Sequence, residues 1–194
     1  MTDNQEDRRV QRTRKLLQAA LMGLLAEQRF DKITVQDIIE RANVGRTTFY
    51  AHFQSKEDLF LSGHDMLIVV ICRSFFSEGG GLSEEPSAQL VAFLEEAAQQ
   101  SRDVFFYLTW GSETGEIIRL LKERIAAQLE IRLRELYSQE HCAIPFEVLA
   151  QHVAGSIVSL SSWWLGKATP YSALEIATML HQMNQAALRQ ALRL

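Results

Sequence analysis

Arg46, Thr47 and Thr48 form a run of side chains suited to reading nucleic acid. A guanidinium can fork onto O6 and N7 of guanine, and a threonine methyl packs against the thymine methyl. Such side chains read a groove only when a short rigid element presents them together, at its leading end. A helix starting at Arg46 does this, because Phe49 and Phe53, four apart, turn to its inner side and leave the first turn facing out. A purely structural place for Arg46, and a half-buried Tyr50 against the preceding helix, are the competing readings.

The residues before Arg46 supply the rest of the unit. Val35, Ile38, Ile39 and Ala42 recur at i, i+3, i+4 and i+7, the period of one apolar helix face. Thr34 suits the N-cap of that helix, since its hydroxyl can accept an otherwise unpaired backbone N–H. Asn43 follows where the chain must turn, and Asn tolerates left-handed backbone better than most residues. Gly45 can cap the second helix. Two short helices joined in this way match a helix-turn-helix.

From roughly residue 8 to residue 60 the sequence resembles the tetracycline-repressor (TetR) family of bacterial regulators. The likeness lies in RRVQRTRKLLQAAL, RFDKITVQDIIERANV and TFYAHFQSKEDLF, above all in Tyr50–Phe53 followed by Ser55–Leu59. Gly45 stands where the family often has Ser, and Asn43 where it often has Gly; both swaps keep the turn and cap chemistry. The resemblance implies phosphate contacts at Thr34, Tyr50, His52 and Lys56. It also implies a small-molecule site in the remainder of the chain, and a dimer formed by the last two helices.

Composition narrows the alternatives. The chain has 194 residues, 47% of them hydrophobic, enough for one or two modest cores. No run of about 18 apolar residues is present, so no membrane span is expected. No basic, apolar leader opens the sequence, so a cytoplasmic protein is expected. Cys72 and Cys142 lie far apart and read as buried reduced thiols, a redox pair being the second reading. The five histidines show no metal-type spacing, so neither a metal nor another cofactor is expected. Net charge is −4, yet residues 8–56 carry ten Lys and Arg against four Asp and Glu, and the remainder ten against twenty. A basic head on an acidic body approaches phosphate with one end.

Along the chain the pattern is helical throughout, and the fold class is all-α. A DNA-binding domain is expected at 8–54 and a helical ligand-binding and dimerisation domain at 55–194. Residues 1–7 read as a frayed polar end. Arg8–Glu27 is a helix with Leu17, Leu21, Leu24 and Leu25 inward and Arg8, Arg9, Arg12, Arg14 and Lys15 near its start. That basic cluster is either a solvated face or an arm near phosphates. Ser55 and Asp58 form a capping box that opens one long helix to about Ser77, joining the two domains. Gly79–Gly81 reads as a flexible break without the Lys-Ser/Thr of a phosphate loop. Helices follow at 86–100, 101–110 and 114–137, then at about 145–167 and 172–193. The helix at 145–167 is apolar or small nearly all round, as expected of one buried on both sides.

Candidate residues in the body are less sharply marked. Phe75, Phe93, Phe106 and Trp110, with His64, could line a ligand cavity, although aromatics at helical spacing serve equally as core. Val153, Ile157, Leu160, Trp164, Leu180, Met183 and Ala187 are the expected dimer contacts. The expected function is a homodimeric regulator on a near-palindromic double-stranded operator, a repressor released by a small-molecule effector. A regulator without an effector is the alternative. A small helical enzyme is disfavoured, for no nucleophile–base pair, metal spacing or cofactor loop is present.

Overall fold

The computed structural model describes residues 3–77, 79–86, 88–100, 115–167 and 169–194. Apart from one isolated antiparallel bridge between Phe76 and Leu82, the regular structure among these residues is helical. The all-α expectation therefore holds. The chain divides into two compact units, Met1–His64 and Asp65–Leu194.

In the first unit α1 (Asp3–Leu25) buries Leu17, Ala20, Leu21 and Leu24 along one stripe. The helix starts at Asp3, five residues earlier than the sequence pattern suggests. The basic cluster beginning at Arg8 is accordingly about one and a half turns into the helix, not at its first turn. A short 3₁₀ turn (Phe30–Lys32) leads to α2 (Val35–Ala42), α3 (Arg46–His52) and α4 (Lys56–Ser62). Ile33, Ile38, Ile39, Phe49, Phe53 and Leu59 complete the core against the α1 stripe.

Leu59 is fully buried in that core, so α4 packs as part of the head and the units divide after His64, not at residue 54. The single long helix expected over 55–77 is broken. α4 stops at Ser62 and α5 (Asp65–Arg73) starts afresh. At the break the Gly63 and His64 amides close i→i−3 bonds to Phe60 and Leu61, and the Ser62 hydroxyl donates to the Leu59 carbonyl. Glycine and serine at consecutive positions favour this tightening over a further α-turn.

The second unit contains α5, α6 (Ala88–Gln100), α7 (Gly115–Leu136), α8 (Phe146–Gly166) and α9 (Ala173–Leu192). The helix expected over 101–110 lies outside the described residues. Ile68, Ile71 and Phe75 meet Leu90, Leu94, Leu129 and Leu133 in one core with Phe146, Val153, Ile157, Leu180 and Leu188. Gly79–Gly81 is not a loose break. Gly80 adopts a left-handed φ of 82°, the Ser77 amide donates to the Gly81 carbonyl, and the Tyr137 hydroxyl donates to the Gly80 carbonyl at 2.8 Å. Ser172 and Glu175 form the capping box that opens α9. Three polar side chains of α9 are buried: His181, Asn184 and Gln185. The Gln185 amide donates to the Phe75 carbonyl at 2.8 Å, and the His181 ring stacks on Phe75 with its Nε2 3.2 Å from the Ser83 carbonyl.

Candidate nucleic-acid interface

Local chemistry at the head determines how α3 is presented. Thr34 accepts from the Asp37 amide, and the Asp37 carboxylate accepts from the Thr34 backbone at 2.8 Å, a closed capping box. Those bonds hold the Asp37 carboxyl below the usual carboxylate range. Asn43 takes a left-handed φ of 52°, and the Val44 amide returns to the Ile39 carbonyl at 3.0 Å. Gly45 then caps α3 in extended backbone. Phe49 and Phe53 go into the core.

This leaves Arg46, Thr47 and Tyr50 exposed on one side of α3, with Thr48 and His52 half-buried. The Arg46 guanidinium lies over the Tyr50 ring, 5.8 Å from its centroid. Tyr50 in turn packs edge-on against Phe49, with 5.3 Å between ring centroids. Along α1, Arg8, Gln11, Arg12, Lys15 and Leu16 line a shallow concavity. Arg14 instead covers the ring of Phe53, 4.8 Å from its centroid, and so joins α1 to the end of α3.

Lys56 differs from the phosphate role that the resemblance implies. Its Nζ donates to the Ile33 carbonyl at 2.8 Å and the Phe30 carbonyl at 3.1 Å, and lies over the Phe30 ring. The side chain is only 13% exposed. An ammonium held in this way ties the 30–33 turn to α4; reaching phosphate would require breaking both bonds. Thr34 is exposed, but its hydroxyl is already engaged with Asp37.

Sequence reasoning also missed an ion pair. Arg41 forks onto Glu27 through two bonds of 2.7 Å, and draws the Glu27 carboxyl below its usual range. Fourteen residues separate the partners, a distance no helical period relates.

Among the described residues no group of three His, Cys, Asp or Glu is placed to hold a metal, and no helix is long and apolar enough to cross a membrane. Cys72 is buried, and burial pushes its thiol up to about 12; Cys142 is half-buried, not buried as expected.

Residues 16–62 match the family model of bacterial regulatory proteins, tetR family. Over 58 residues the chain is 48% identical to an uncharacterized HTH-type transcriptional regulator, YxbF, of Bacillus subtilis (strain 168). The N-terminal domain is a TetR-family domain. The match covers 29% of this chain and spans only 15% of YxbF. Across nearly the full length, the chain is similar to the crystal structure of a TetR transcriptional regulator from Streptococcus agalactiae 2603V. That likeness has 27% identity and a TM-score of 0.50, covering 92% of this chain and 97% of that one. The TetR family repressor AlkX from Dietzia sp. strain DQ12-45-1b shares the fold at 18% identity, with a TM-score of 0.52, 92% of this chain and 96% of AlkX being covered. Residues 16–62 therefore carry the DNA-binding domain of TetR-family transcriptional regulators, on a chain with the all-helical fold of those regulators.

The body residues fall out differently from expectation. His64 groups with the head, its ring tilted on Phe60. Phe75 is buried in the body core and Phe93 is packed against it, while Phe106 and Trp110 lie outside the described residues. Val153, Ile157, Trp164 and Leu180 are covered within a single chain, so they are corrected from dimer contacts to core. Leu160 and Ala187 are half-buried, and Met183 is 56% exposed. A helix that is apolar all round has two candidate stripes, and the bulkier of them fills the protomer's own core. The outer stripe of α8 is Val148, His152, Gly155, Ser159 and Trp163, and Leu174 and Met183 are exposed on α9.

Proposed function

We propose that the chain is a homodimeric repressor that binds a near-palindromic operator and is released by a small-molecule effector. Arg46, Thr47 and Thr48 read base edges from the first turn of α3, and Tyr50 and His52 contact phosphate. The exposed cations of α1, Arg8, Arg12 and Lys15, add backbone contacts. The observation that carries this reading is the outward side of α3, where Arg46, Thr47 and Tyr50 stand exposed beside one another.

Dimerisation uses the outer stripe of α8 with Met183 and Ala187 of α9. A two-fold pair of heads reads half-sites about one helical turn apart, roughly 34–36 Å, or a small multiple. The effector is taken up by the body, whose core combines aromatic residues with buried polar groups. One of these, Gln185, has no hydrogen-bond partner for its Oε1 among the described residues. An effector that prefers one body conformation by a few kcal/mol is enough to empty the operator. The expected setting is the cytoplasm.

The test is a titration of the full chain against the DNA flanking its own gene at several salt concentrations. Tight binding that falls with a log–log slope of several phosphates supports the proposal, and equal weak binding to unrelated duplexes contradicts it. A compound that raises the melting temperature and releases that DNA supports the effector reading.

A further inference from the structure

Two local oddities of the head converge on one side chain. Gly23 lies inside α1, where glycine is a poor helix former. Glu27 lies just beyond the carboxyl end of α1, where the helix dipole disfavours an acid. Arg41 extends from the last turn of α2 across both. A Cβ on Gly23 would stand 3.1 Å from the Arg41 guanidinium carbon, so the missing side chain is the space in which the guanidinium lies. From there Arg41 meets both oxygens of Glu27 at 2.7 Å. Both partners are partly exposed, at 38% and 59%, and pairs of that kind contribute little to stability. Stability alone does not account for two unfavourable choices made for one exposed pair.

We propose that Gly23, Glu27 and Arg41 form a clamp that fixes the orientation of the recognition helix. Gly23 and Glu27 are then positioning residues for sequence reading, although neither lies on the recognition helix. This rests on the reading of the head as the DNA-binding element. Arg41 lies two residues before Asn43, whose left-handed backbone carries the chain into α3, and the Val44-to-Ile39 bond stiffens that turn. A rotation of α2 is therefore handed on to Arg46. Ile38 and Ile39 hold α2 to the core through apolar contact, which is non-directional and tolerates rotation. The fork is directional and does not.

The experiment uses the full chain and the duplex that the wild type itself enriches from a random pool, with a scrambled duplex as control. Glu27→Gln removes the fork, Gly23→Ala displaces the guanidinium from the other side, and the double swap Glu27→Arg with Arg41→Glu rebuilds a pair. Each single variant is expected to weaken the selected duplex by about 2- to 30-fold. The scrambled duplex and the salt slope are expected to stay unchanged, the melting temperature to hold for Glu27→Gln and to hold or rise for Gly23→Ala, which removes a poor helix former, and the swap to recover affinity. Unchanged specific affinity in the single variants overturns the clamp. So does an equal loss on both duplexes, a loss that tracks a fall in melting temperature, or a swap no better than Glu27→Gln. A wild type that enriches no sequence overturns the reading of the head itself, and the clamp with it.

Discussion

The guanidinium of Arg46 rests over the ring of Tyr50, one helical turn further along α3, at 5.8 Å from the ring centroid. The stack limits the directions Arg46 can take from the exposed side of the helix, while Tyr50 is itself braced edge-on by buried Phe49. Arg46→Ala is expected to weaken binding to the selected duplex by about 1–3 kcal/mol and to relax preference at one base position. Tyr50→Phe keeps the platform and loses the hydroxyl, so it is expected to lower affinity evenly across sequences. Anisotropy titrations on single-substitution duplexes separate the two patterns.

Lys56→Ala is expected to act on the fold and not on the salt dependence of binding. Its ammonium bonds to the Phe30 and Ile33 carbonyls are charge-assisted, so their loss is expected to cost about 1–3 kcal/mol in urea unfolding. At temperatures where the variant remains folded, its log–log salt slope should match the wild type. A slope lower by about one would return Lys56 to the phosphate contacts.

Gly155 distinguishes the outer stripe of α8 from the core stripe. A Cβ placed there meets nothing within 4 Å among the described residues of the single chain. Gly155→Leu is expected to leave the protomer folded, gaining about 0.5–1 kcal/mol of helix preference, and to push the chain toward monomer. Val153 is 1% exposed, and Val153→Ala is expected to cost stability without moving the oligomeric state of the folded chain. Sedimentation velocity over a concentration series reads both.

Burial lowers the pKa of His181 from its ordinary value, partly opposed by the Ser83 carbonyl. The unfolded chain then binds this proton more readily than the folded one, so His181 contributes stability above the ordinary histidine range that is lost as pH falls through it. The melting temperature is expected to drop between pH 7.5 and pH 5.5, and His181→Gln, which can still donate to Ser83, to flatten that drop. A wild-type curve as flat as the variant's would contradict it.

Much of the head was legible from the chain because its signals are local. The Thr34 cap, the turn at Asn43 and the inward pair Phe49 and Phe53 all follow from neighbours within one or two turns. What escaped was set by residues distant in sequence. Lys56 binds carbonyls 23 and 26 positions earlier, and nothing in its own helix marks it as anything but a free cation. The break at Gly63 was overlooked because the apolar pattern continues across it, although the backbone does not. On α8 the periodicity gave two stripes and no way to rank them; packing against α9 and α7 put Val153, Ile157 and Trp164 inside.

Selection of duplexes by the wild-type chain from a random pool tests the regulator account most directly. The account predicts enrichment of a two-fold-related pair of half-sites whose centres lie about one helical turn, or a small multiple, apart. It also predicts that Arg46→Ala fails to enrich that sequence. Enrichment of no sequence, or of the same sequence by wild type and Arg46→Ala alike, would contradict it.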